Sequence, residues 1–153
     1  MESPAIIRQI AQERLAEAKI LANSKKFDGA FYLAGYSVEL MLKAKICEYL
    51  DIPNLFDEEQ STKINDPGFG EIRRIFKTHN LLHLLWLSGL RRKFDHEKAE
   101  NQKLFNLNSL LFENWDEQIR YNPCGYCKSI DVLTMLQILE DPEEGLFLWI
   151  QQN

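Results

Sequence analysis

Two arginine–histidine pairs in the chain, Arg74/His79 and Arg91/His96, each have four residues between their members. A histidine acting as general base, beside an arginine that steadies a pentavalent phosphate, can cleave RNA without a metal. The same spacing occurring twice shows how readily it arises, and the plain alternative for His79 is capping or packing at a helix start. Glu39 and Lys43 form a second group, an acid four residues before a base, the favourable order on a helix. A glutamate held in a largely apolar helix can orient an arginine such as Arg120 toward a phosphate; a purely structural ion pair is the other reading. Arg120 and Tyr121 offer a guanidinium and a stacking ring to a nucleotide, or a helix-terminal cation with a packing tyrosine. Cys124-Gly125-Tyr126-Cys127 is a single CxxC, fewer ligands than structural zinc requires. His79 and His83, four apart, complete such a set only if the fold brings them to the cysteines. Free thiols in a turn are the expectation, with no metal and no cofactor.

These residues need elements to hold them, and the stretch from Asp28 to Leu50 is the natural centre. Its apolar and small residues, from Ala30 through Cys47, cover well over half of a helical cylinder, the mark of a helix that lies among neighbours. Ala30, Ala34, Gly35 and Ser37 are small enough to admit close approach, and Glu39 with Lys43 is the charged wedge in the middle. Before it, Ser3 and Pro4 suit a helix start. Ile7, Ala11, Leu15, Ala18 and Ala22 then make one face of a helix to about Ser24. With Asp28 as the next cap, the short connection predicts an antiparallel hairpin.

Further along, the segment from Asp51 to Gly70 holds two prolines and two glycines and reads as a loop, functional or mobile. Helical character resumes from Glu71 to Leu90 with a restart near Thr78 as cap and Gly89 as stop. A mixed-charge connector or solvated helical turn follows Arg91. Leu104, Leu107, Leu111, Trp115 and Ile119 predict a fourth long helix from about Ala99 to Arg120, ended at Pro123. Ser129 to Leu139 is a fifth helix, and Asp141-Pro142-Glu143-Glu144 reads as the cap and first turn of a short last one. Nothing alternates like a strand, so the fold class is all-α.

At 153 residues the chain suits one domain, 1–153. Apolar residues at 45% and charged residues at 27% are ordinary for a globular protein. The net charge of −5 argues against nucleic-acid binding through bulk positive charge, while leaving room for local clusters such as Arg73-Arg74 with Lys77, or Arg91-Arg92-Lys93. Charge at the N-terminus in place of an apolar run, no stretch long enough to span a bilayer, and three cysteines in no framework spacing point to a cytoplasmic setting without membrane contact. Phe105, Phe112, Trp115, Phe147 and Trp149 are read as core and dimer surface.

The helical hairpin resembles the HEPN family. The resemblance is carried by Ala16-Glu17-Ala18, by Asp28 through Tyr36, and by Val38-Glu39-Leu40 with Leu42-Lys43-Ala44. Thr78-His79-Asn80-Leu81, Leu84-Leu85, Trp115 and Arg120-Tyr121 complete it. It implies an up-and-down four-helix bundle, here with one or two extra C-terminal helices, and often a homodimer. It also implies two functional styles. Some members are metal-independent ribonucleases using an Arg-x4–6-His motif in a late helix. Others are binding partners of small nucleotidyltransferases or accessory domains in prokaryotic stress and defence systems. Neither arginine–histidine pair sits where the family carries its motif, and positions 125 to 127 after Arg120 hold no histidine. The expectation is therefore a non-catalytic, dimeric bundle that binds a partner protein or a nucleotide through Glu39, Lys43, Arg120 and Tyr121. The alternative is a toxin-like ribonuclease using Arg74 and His79, or Arg120 with a histidine from elsewhere in the dimer.

Overall fold

The computed structural model describes residues 3–153, so the first two residues of the expected domain lie outside the described residues. Ser3 opens α1 (Pro4–Asn23), its hydroxyl accepting the Ile6 amide at 3.3 Å. Ile7, Ala11, Leu15, Ala18 and Ala22 form the buried face, as their spacing predicts. The helix closes with Lys25 at φ 58°, while the Lys26 amide bonds Leu21 O and the Lys25 amide bonds Ala22 O. That is a Schellman closure with lysine where glycine is usual. It is short enough that α2 (Phe27–Leu50) turns straight back along α1. Lys26 occupies the N-cap of α2 without a side-chain bond. The expected cap, Asp28, is not one: it lies inside the first turn and its carboxylate reaches elsewhere.

α2 is buried nearly all round. It packs on α1, on α5 (Leu81–Leu87), on α8 (Ser129–Glu140), on α9 (Leu146–Gln152) and on a 3-10 turn at Glu117–Tyr121. Between α2 and α5 run the loop from Asp51, a short turn α3 (Glu58–Ser61) and α4 (Phe69–Phe76). The α5 N-cap is Asn80, which accepts the His83 amide at 3.0 Å, while Thr78 takes the Asn80 amide at 3.1 Å. The cap thus falls two residues beyond Thr78. The charged stretch after Gly89 forms a full helix, α6 (Arg91–Glu97), because Phe94 plunges into the core against Phe112 and Trp149.

The expected long helix from about 99 to 120 does not exist. In its place stand α7 (Gln102–Leu107), a π-helical turn at Asn108–Phe112, and the 3-10 turn after a break at Trp115 and Asp116. Leu104, Leu107, Leu111 and Trp115 are all buried, so the apolar period is genuine while the helix is not. A π turn shifts the phase, and Asp116 caps a fresh turn by accepting the Gln118 amide at 2.7 Å. Trp115 is thereby driven onto Gly35 of α2, stacks on Tyr32 with centroids 6.2 Å apart, and donates Nε1–H to the Tyr32 carbonyl at 3.1 Å. At the C-terminal end, Asp141 accepts the amides of Glu143 and Glu144, and α9 starts only at Leu146. Of the expected aromatic set, Phe112, Trp115 and Trp149 are core, Phe147 is half-buried and Phe105 is exposed. Among the described residues there is no strand, and no helix is long and apolar enough to cross a membrane.

A Cβ built on Gly35 would overlap the Trp115 ring. Gly35→Ala is expected to lower stability by about 2 kcal/mol through overpacking. A denaturation midpoint unchanged from wild type would disprove the contact.

Candidate functional site

The site grows from one residue of α2. Glu39 is 1% exposed, and a carboxylate removed from water must find partners. One is local: Lys43, a turn further on and 7% exposed, donates Nζ–H to Glu39 Oε1 at 2.6 Å. Phe56, from the loop after α2, lies under the same ammonium with its centroid 5.3 Å away. The other partner comes from forty positions along the chain, where the His79 Nδ1 sits 3.0 and 3.1 Å from the two Glu39 oxygens. A carboxylate only accepts, so Nδ1 carries the proton and Nε2 is left as the free ring nitrogen. The His79 side chain is 48% exposed. Its position is set by the capped Thr78–Asn80 turn at the mouth of α5.

These groups face a cavity of about 240 Å³ lined by Lys43, Phe56, Glu58, Arg73, Lys77 and His79, among others. Lys77 is joined to Glu58 at 2.6 Å, and the Glu58 carboxyl is held below its ordinary value by that lysine. Arg73 is half-buried and its Nε has no partner among the described residues. Arg74, the arginine singled out from sequence, is exposed and does not line this cavity. One residue along a helix is a turn of about 100°, enough to exchange the two.

Arg120 lies at a second cavity, of about 220 Å³, between α2 and the turn carrying Cys124 and Cys127, whereas Tyr121 is exposed and does not line it. Arg120 donates from Nη1 to the Tyr32 hydroxyl at 3.5 Å, and its guanidinium lies 5.0 Å from the Tyr121 ring centroid. It does not meet Glu39, whose oxygens are engaged by Lys43 and His79. Glu117 is held below the ordinary carboxylate range first by its own backbone N–H, then by Gln118 and the neighbouring Arg120. Asp28, Tyr32, Tyr36, Glu39 and Lys43, at spacings of four, four, three and four, form one polar stripe on α2 beneath both.

Asp28 anchors the upper end of that stripe. Its carboxylate accepts the amides of Gly125 at 2.6 Å and Cys127 at 2.8 Å, which pull it below its ordinary value. Burial, together with Asp28, pushes the Cys127 thiol up to about 11, while Cys124 is exposed. No group of three or more potential metal ligands forms among the described residues, since His79 is held at the other cavity.

Tyr32, Glu117 and the role of Asp28 escaped the sequence reading, in which Arg73 and Lys77 stood only as members of a local basic cluster. The stripe's spacing was visible; the approach of distant turns to it was not. No family model, curated protein or solved structure matches the chain, so the HEPN resemblance rests on its residues alone.

Glu39→Gln and Lys43→Met are each expected to cost about 3 kcal/mol, because each strands a buried partner. Combined, they should cost at least about 1 kcal/mol less than the sum; strict additivity in chemical denaturation would refute the coupling. For Asp28, a folded value below the unfolded one means stabilisation that is complete above about pH 4 and lost as pH falls through the folded value. The amide shifts of Gly125 and Cys127 should therefore titrate together with a midpoint below about 3.9, and stop doing so in Asp28→Asn.

Proposed function

We propose that this chain is a HEPN-type bundle, its helices in an up-and-down four-helix arrangement with C-terminal additions, that binds the phosphate of a nucleotide or RNA without cleaving it. The reading includes a homodimer and a partner such as a small nucleotidyltransferase in a prokaryotic stress or defence system. One observation carries it: the buried Glu39 carboxylate holds Lys43 and His79 at a cavity that Arg73 and Lys77 also enter. Of the four basic side chains at one small cavity, Lys43 and Lys77 are paired with Glu39 and Glu58, which leaves Arg73 without an ion-pair partner among the described residues and free to favour an anion of phosphate size. Binding rather than catalysis is favoured because the arginines of the expected pairs stand elsewhere, Arg74 in solvent and Arg120 at the second cavity.

A second reading has its own observation. Glu39 on Nδ1 orients the His79 ring and leaves Nε2 for general-base work, with Arg73 in the same cavity, the arrangement a metal-independent ribonuclease needs.

Labelled RNA incubated with the purified protein in EDTA separates the two. The expected result is intact RNA that binds, with Arg73→Ala and His79→Ala each weakening binding about tenfold. Cleavage in EDTA that disappears in His79→Ala would establish the ribonuclease and remove the binding-only reading.

A further inference from the structure

The cleft around Arg120 has features that the His79 cavity lacks. Its floor is Gly29 and Tyr32 of α2, and its far wall is Pro123 and Tyr126 of the turn clamped by Asp28. Tyr126 is 57% exposed although it borders this apolar recess. Arg120 stands at the rim held by a phenol hydroxyl and an aromatic face, with no carboxylate in ion-pair contact among the described residues. Asn122 adds a side-chain amide, which both donates and accepts and so can read the edge of a heteroaromatic ring. At about 220 Å³ the space equals roughly seven waters, more than an inorganic anion fills.

The geometry points to a second, separate binding site: the cleft between α2 and the Cys124–Cys127 turn takes a nucleoside monophosphate. The base lies against Tyr32 and Tyr126 with Asn122 at its edge, and the phosphate is met by the Arg120 guanidinium. A flat ring suits tyrosine faces without sequence constraint, and a fixed guanidinium suits one phosphate. Clamping of the turn by Asp28 builds the wall before any ligand arrives, so little ordering cost falls on binding. The site is independent of the His79 cavity and stands whether or not that cavity binds phosphate.

The test is calorimetric titration in the Arg73→Ala/His79→Ala background, which silences the other cavity, with AMP, adenosine, ribose 5-phosphate and phenyl phosphate as probes. AMP is expected to bind, adenosine about tenfold more weakly, and the other two more weakly still. Arg120→Ala should bring AMP down to the level of adenosine and leave adenosine unchanged. Tyr126→Ala should weaken both equally. Both side chains are solvent-facing, so loss of folding is not expected, and circular dichroism checks it. No AMP binding in the background variant overturns the site, as does ribose 5-phosphate or phenyl phosphate binding as tightly as AMP. AMP binding seen in wild type but not in that background would place the nucleotide at the His79 cavity and equally remove this one.

Discussion

A carboxylate buried in the middle of the most apolar helix is the constraint to which the rest of this structure answers. Glu39 is flanked in sequence by Val38, Leu40, Met41 and Leu42, all in the core. Leaving it unpaired there would cost several kcal/mol. Lys43 satisfies it locally, and the helix alone delivers that contact. His79 satisfies it only when the turn between α4 and α5 docks at one register against α2. A buried ion pair is a poor source of net stability, but it discriminates strongly between alternative packings. Here it selects the packing in which His79, Arg73 and Lys77 share a cavity.

The same helix serves as core and as floor of both cavities, and small side chains make this possible. Gly35 lets Trp115 lie flat on α2, and Trp115 in turn backs Tyr32, the residue that meets Arg120. Packing and site are thus one mechanical unit. Rotating α2 to relieve a contact at Gly35 would also displace the polar stripe from Asp28 to Lys43.

The broken fourth helix shows how a sound sequence signal can mislead. Leu104, Leu107, Leu111 and Trp115 recur at helical spacing and all are buried, yet the backbone leaves the α-helix at Asn108. Period reports which side chains face the core, and that set is shared by an α-helix, a π turn and a capped break. Two contacts compete with a continuous helix: Asp116 supplies a local cap, and Trp115 has its hydrogen-bond partner far along the chain on Tyr32. Asp28 misleads in the opposite way. Its position before an apolar run is that of an N-cap, but the Schellman closure at Lys25 starts the helix two residues earlier and frees the carboxylate for Gly125 and Cys127.

Sequence by itself determined the all-helical class, the hairpin of α1 and α2, the burial of α2 on nearly every side, and the Glu39–Lys43 pair. All of these follow from contacts within a few residues or from one uninterrupted period. Tertiary structure alone decided that His79 completes the pair, that Arg73 rather than Arg74 enters its cavity, and that Arg120 belongs to a different cleft. Those outcomes depend on where two turns, remote in the chain, come to rest against one helix face. The packing that places them is a property of the whole core, so no local pattern of residues encodes it.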